Sequence, residues 1–267
     1  MHFSNIHSEE IIVGKNVVIE PSAIIRGVDG KAKKIVIGDN VYIGSDAQII
    51  CNELTIFDYT KVHHHTNFYG RMPLQIGYNC WIGQYSIIDS TGGTTLGNNC
   101  CVSAHNQLWS HMSFGDTLEG CRFKREAPLT IGNDVWFGGH CIVSPIIAED
   151  KSMALAGSVV TKDMKYNEIY AGTPAKSVSF KMGNQFNPVS TEEKIIKMNA
   201  YLNEWGGDKN KIKITTSHSE SKLEDDISYF NVNDRTYTKK QTPAEISLMK
   251  FLLPYRAKFI PQVNILQ

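Results

Sequence analysis

The chain has 267 residues, 42% of them hydrophobic, and its 27 lysines and arginines balance 27 aspartates and glutamates. That is enough apolar material for one large domain or two smaller ones, while the zero formal charge excludes a global field for drawing in nucleic acid or an anionic membrane. No stretch approaches the length of an apolar membrane span, and the opening MHFSNIHSEEIIVG lacks the basic-then-apolar order of a leader, so a soluble, cytoplasmic protein is expected.

From Val13 onward one motif recurs: VGKNVVI at 13, IGDNVYI at 37, IGYNCWI at 76, LGNNCCV at 96 and IGNDVWF at 131. Its aliphatic position returns every six residues, a period that neither an ordinary strand nor a helix has. The ladder runs in triplets: Val13, Ile19, Ile25; Ile37, Ile43, Ile49; Ile56, Val62, Phe68; Ile76, Ile82, Ile88; Leu96, Val102, Leu108. After a gap it resumes with Ile131, Phe137, Val143 and closes with Ala148, Ala154, Val160. Three strands per coil, with one inward side chain on each, describe a triangular prism. The repeated Gly-x-Asn supplies bends, because Gly, Asn and Asp tolerate positive φ at least cost. Two positions before the ladder residues a second inward row holds small side chains, among them Ala47, Cys80, Ser86, Cys100 and Cys141. The six cysteines lack the paired spacing of a zinc ribbon or a redox site, and three fall on this row, so packing rather than metal binding is expected of them.

Further along, His63-His64-His65 is internal, and on a strand adjacent residues point to opposite faces. Outward-facing polar residues lining a groove are the reading preferred there over a metal site. Trp81, Tyr85, Trp109, Phe68 and Tyr69 give the outer surface an aromatic character, suited either to stacking on sugar rings or to subunit contacts. Residues 109–128 interrupt the coils, and within them Arg122, Lys124 and Arg125 suit a sugar-linked phosphate or carboxylate, although a short basic stretch is more often a solvated turn.

The segment LTIGNDVWFGGHCIVSPIIAEDKSMALAGSVVTKDMKYNEIYAGTPAKSV, from 129, resembles the cofactor-binding coils of sugar acetyltransferases in the hexapeptide-repeat acyltransferase family: IGxxVWIG, then GAGSVVTKD, then AGxPAK. The resemblance covers roughly residues 11–182 and implies an all-β solenoid, a left-handed parallel β-helix, assembled as a homotrimer with sites between subunits. It further implies acetyl-CoA as co-substrate, with Trp136 and Gly139 lining the pantetheine arm, Ala156 bonding it through the backbone, Thr161 and Lys162 nearer the nucleotide, and Lys176 meeting a phosphate. A narrow groove and a cation suit such a ligand. The chain departs from the pattern at Leu155, where Gly is usual, and at SPIIAED, where a longer turn is common, so a tighter or slightly skewed last coil is expected.

Members of the family use a histidine as general base, a step that a near-neutral imidazole suits. Its usual place, after the third ladder residue of the preceding coil, favours His111; His105, inside the previous hexad, stays an alternative. Zinc enzymes of this fold hold the metal with two histidines separated by four residues, whereas His105 and His111 are separated by five and the TPAK ending is not theirs, so no metal is expected. Enzymes and non-enzymes share such scaffolds. The expected function is acetyl transfer to a hydroxyl of a carbohydrate, a surface polysaccharide or its precursor, with N-acetylation of a nucleotide-linked amino sugar and a metal-dependent or non-catalytic solenoid as alternatives.

The hexad pattern stops by about residue 182. Beyond it, 183–267 is expected to form a small α/β extension: Ser190-x-x-Glu193 opens a helix with Ile195, Met198, Leu202 and Trp205 on one face, ended by Gly206-Gly207. Strand-like IKITT and ISYFNV follow, and Thr242-Pro243-x-Glu245 opens a second helix to about Leu253.

Overall fold

The computed structural model describes residues 5–217, 224 and 226–262. The chain divides into two compact units, Met1–Phe186 and Asn187–Gln267.

The first unit is a left-handed parallel β-helix. Each strand stacks in parallel on its equivalents one coil away. Leu74–Ile76 lies between Glu53–Ile56 and Thr94–Leu96 on the first face. Trp81–Ile82 lies between Lys61–Val62 and Cys101–Val102 on the second, and Ile87–Asp89 between Asn67–Gly70 and Gln107–Leu108 on the third. The strand Ile6–Val13 pairs with the lowest strands of both the first and third faces, joining them into a 14-stranded sheet; the second face is a 9-stranded sheet.

Two corners use left-handed backbone. Between the first and second faces Asn40, Asn79 and Asn99 have φ of 57°, 58° and 64°; between the second and third, His65, Tyr85, His105 and His140 have φ of 56–61°. At the first of these corners the residue just before the left-handed one accepts from the coil below: Asp58 Oδ1 from the Asp39 amide at 2.8 Å, Asn98 Oδ1 from Tyr78 at 3.0 Å, Asn133 Oδ1 from Asn98 at 2.8 Å, Asp150 Oδ1 from Asn133 at 2.7 Å. The glycine of the motif is needed for close stacking, since a Cβ on Gly77 would lie 2.5 Å from the Gly97 carbonyl oxygen.

Inside, the ladder from Ile25 to Val160 is buried throughout, and the second row of Ala47, Cys80, Ser86, Cys100 and Cys141 is buried beside it. Phe68 belongs wholly to this ladder, fully buried between Ile49 and Ile88. It therefore contributes nothing to the aromatic outer surface, correcting that part of the expectation: its register is the inward one, and Tyr69 takes the outward one. Phe68→Ala is expected to cost about 3–5 kcal/mol, because neighbouring coils held by backbone hydrogen bonds cannot collapse into the space; the shift in denaturant midpoint measures it.

The last coil keeps its register despite Leu155, with Val143 opposite Val160 and Ser158 N donating to Leu155 O at 3.2 Å. The stack ends where Ile169–Ala171 covers Met153–Ala154 and turns back antiparallel on Lys176–Ser177.

In the second unit, helix Thr191–Trp205 opens with the full capping box of Ser190 and Glu193, closes on left-handed Gly206, and buries Met198 and Leu202. Helix Pro243–Leu252 is capped by Thr242, whose side chain accepts from the Glu245 amide. Strands Ile212–Thr215 and Ser228–Asn231 are parallel; Thr236–Tyr237 adds antiparallel, followed by Ile260–Pro261. Among the described residues no helix is long and apolar enough to cross a membrane.

Candidate active site

The coils are interrupted at the corner between the third and first faces. The chain leaves after Gln107–Leu108, forms the hairpin His111–Ser113 and Lys124–Glu126, and returns at Leu129–Ile131, so that Leu96 stacks on Ile131 as if nothing intervened. The neck is closed by Ala127 N donating to Ser110 O at 3.0 Å, and Arg125 Nη2 donates to Pro145 O at 2.9 Å.

His111 stands on the first strand of this hairpin, opposite Glu126, with its side chain 29% exposed. Its Nδ1 lies 2.9 Å from Oδ2 of Asp89, which is only 1% exposed. Asp89 continues the outward register of Tyr69 on the third face and is covered by the departing loop. Its carboxylate also accepts from Ser110 Oγ, from Ser110 N at 3.0 Å and from Thr91 Oγ1 at 2.6 Å. Burial alone would raise the pKa of this carboxyl; the hydrogen bonds from His111, Ser110 and Thr91 outweigh it and hold the group below the ordinary carboxylate value. An ionised Asp89 accepts only from an Nδ1–H, and in the neutral tautomer that this contact selects Nε2 keeps its lone pair. No repeat marks Asp89, and its partner is 22 residues away; the only local sign is the replacement of the regular corner after Ile88 by Asp-Ser-Thr-Gly-Gly.

His105 is elsewhere. It occupies the corner before strand Gln107–Leu108, at the opposite edge of the third face from His111, with left-handed φ of 60°. Its ring is stacked on both sides, 5.0 Å from Tyr85 and 4.8 Å from His140. The two histidines are thus not brought together.

The residues expected to bind the co-substrate divide between the same two corners. Trp136 is outward on the second face, 42% exposed, its Nε1 donating to Ser103 Oγ at 3.0 Å. Gly139 and Ala156 follow at the corner with His105, and their backbone N–H groups meet no acceptor among the described residues. Those donors fit the amides of a pantetheine arm. Thr161 and Lys162 are exposed past Val160, at the corner that carries the hairpin, and Lys176 is exposed on the closing strand; neither lysine makes an ion pair among the described residues. Exposed, unengaged cations fit phosphates.

The His63–His65 run lies in a corner, not on a strand, because Lys61–Val62 ends before it and it occupies the place of Gly44-Ser45-Asp46 one coil down. His64 and His65 face outward, whereas His63 is half-buried with its ring 4.1 Å from Trp81 and its Nε2 without a partner. Burial, aided by Lys61 and His64, holds the His63 pKa below its ordinary 6.5. A depressed histidine pKa favours the neutral fold, so its contribution is complete above 6.5 and is lost as pH falls below that value through the folded-state pKa. His63→Phe, which keeps the ring on Trp81, is expected to gain on the parent in melting temperature as pH is lowered from 7 to 5. A constant difference across that range would refute the assignment. Among the described residues no group of three His, Cys, Asp or Glu is placed to hold a metal ion.

Solenoid, repeat and interrupted corner together define a protein of the left-handed β-helix class built from hexapeptides. A sequence model of the hexapeptide repeat of succinyl-transferase matches residues 73–104 and 128–162. The chain is 44% identical over 125 residues to galactoside O-acetyltransferase of Escherichia coli (strain K12), covering 45% of this chain and 54% of that protein. It is 36% identical over 87 residues to a putative acetyltransferase of Staphylococcus aureus (strain COL), covering 32% and 42%. The chain thus carries the hexapeptide repeat over the matched residues and is similar there to these acetyltransferases, and it spans only about half the length of the curated relatives it matches. Among solved structures it is similar to the polySia-specific acetyltransferase NeuO, with a TM-score of 0.42 and 19% identity over 74% of this chain and 95% of that one. A mutant of AntD, an N-acyltransferase from Bacillus cereus in complex with dTDP-4-amino-4,6-dideoxyglucose and coenzyme A, gives 0.46 and 19% over 75% and 92%. Likeness at this level carries no argument about activity.

Proposed function

We propose that the chain is an acetyl-CoA-dependent O-acetyltransferase of the cytoplasm, acting on a hydroxyl of a carbohydrate acceptor, a surface polysaccharide or its precursor. The observation that carries this reading is the Asp89–His111 pair at the mouth of the interrupted coil. An amine attacks without a base, whereas a hydroxyl needs one, and a buried carboxylate that orients an imidazole is the arrangement suited to the harder nucleophile. Acetyl-CoA, when bound, supplies an activated acyl carbonyl. His111 Nε2 takes the acceptor's proton as its oxygen attacks that carbon, the C–S bond breaks, and the imidazolium returns the proton to the departing sulfur.

Within one chain Trp136 stands on the second face, Gly139 and Ala156 at the near edge of the third, and His111 at its far edge. That separation supports a site completed between copies, one supplying His111 and the next the pantetheine groove, as a homotrimer provides. Lys162 and Lys176 are the phosphate-binding cations in this reading, with Thr161 beside the nucleotide.

The deciding measurement is thiol release from acetyl-CoA in the presence of a panel of sugars, nucleotide sugars and glycans, with CoA binding followed by calorimetry. Acceptor-dependent release with ester formation is the expected result. Amide formation on an amino sugar would replace the reading by its nitrogen counterpart, and absence of CoA binding would end it.

A further inference from the structure

The corner between the second and third faces carries a feature that acyl transfer from CoA does not need. In four consecutive coils the same left-handed position holds His65, Tyr85, His105 and His140. Their rings form one column: 5.0 Å and 16° between His65 and Tyr85, 5.0 Å and 9° between Tyr85 and His105, 4.8 Å and 1° between His105 and His140. His64 stands edge-on to both His65 and Tyr85, at 5.2 and 5.5 Å, and widens the strip. In the single chain all five residues are exposed. The other left-handed corner fills the equivalent position mostly with Asn and Asp, the inexpensive choice for that backbone, so the turn alone does not call for rings.

A column stacked face to face offers its edges to solvent. These edges are imidazole nitrogens and a phenol oxygen, groups that both donate and accept, and among the described residues none of them hydrogen-bonds another side chain. At the far end Asp46 Oδ2 lies 3.9 Å from His65 Nδ1. No lysine or arginine occupies the corner positions 44–46, 63–65, 83–85, 103–105, 138–140 or 155–157, which argues against a phosphodiester polymer. At the near end the next coil has Gly157, where a Cβ would meet nothing within 4 Å, so the outer face of the His140 ring is left uncovered. That one open face can take a sugar ring by stacking, while the edges along the rest of the column meet sugar hydroxyls by hydrogen bonds.

We propose that this column is a track for a neutral, extended glycan, with successive sugar rings meeting successive coils. Coils repeat at about 4.8 Å, close to the advance of an extended glycan per ring. The track starts beside Gly139 and runs away from the pantetheine groove, so it would hold a polymeric acceptor while one of its rings is modified. In that respect it rests on the proposed function and selects the polymer over a monomeric precursor.

The test titrates cello-oligosaccharides of one to six glucose units into the full chain, read by calorimetry. Affinity is expected to rise about tenfold or more from one unit to four and little beyond, which is 1.4 kcal/mol per tenfold step. His65→Asn combined with Tyr85→Asn keeps a residue suited to the left-handed backbone and is expected to stop the gain at two units; Tyr85→Asn alone is read the same way if the pair fails to fold. Equal affinity at all lengths, no binding at any length, or an unchanged length profile in the folded variant would overturn the track. Acetyl transfer to some sugar together with a flat profile refutes the track and leaves the function standing; a length-dependent profile with no transfer to any acceptor does the reverse.

Discussion

His111→Ala is expected to lower turnover on a hydroxyl acceptor by about 10²–10⁴-fold, the usual contribution of a positioned general base, with little change in the affinity for CoA. His105→Ala should lose less than about tenfold by the same measure, because its ring is clamped between Tyr85 and His140 at the other edge of the third face. Steady-state rates with the acceptor found by screening, alongside calorimetry with CoA, separate the two effects. Equal mild losses would sink the hydroxyl chemistry, and a large loss confined to His105→Ala would move the base to the ring column.

The second large effect is expected from Asp89→Asn. The amide is nearly the same size, but it can donate toward His111 Nδ1, which would drive the proton onto Nε2 and remove the lone pair the reaction uses; an analogous change in a serine-protease triad lowers kcat by about 10⁴. The loss should fall on kcat rather than KM, and His111 should keep its place. Stability responds as well. Asp89 has a folded-state pKa below 3.8, so the ionised carboxylate stabilises the fold above that value and its contribution vanishes as pH falls through the folded pKa. The parent should therefore melt above Asp89→Asn at neutral pH and converge with it in acid. A variant with unchanged kcat would show that Asp89 serves the fold alone.

The repeat was legible because it is local. A six-residue period, a glycine where coils touch and Asn or Asp where φ turns positive are each visible in a single line of sequence, and the ladder from Ile25 to Val160 is buried as read. The helix caps at Ser190 and Thr242 were legible for the same reason, since each side chain answers an amide three residues on. Asp89 was not, because its role depends on which residues stack one coil above it and on a loop that folds back over an outward-facing position. The ring column was equally hidden. His65, Tyr85, His105 and His140 are 20, 20 and 35 residues apart, and only the stacking of coils converts those intervals into a single line. Phe68 fits both the ladder and the aromatic outer set in the sequence, and only its register opposite Ile88 places it inside.

The hairpin leaves and re-enters the solenoid through one neck, Ser110 to Ala127, with Leu96 stacked on Ile131 across it. Coils above and below register that neck and one contact of the arm, Arg125 to Pro145 O, because each coil of a solenoid is stabilised by its immediate neighbours, and lengthening a closed surface loop adds little entropy cost. The arm beyond Met112, Arg125 apart, is in consequence a graft site. Its length and side chains can be exchanged for those of another arm without disturbing the stack, while Asp89 and His111 stay at its root.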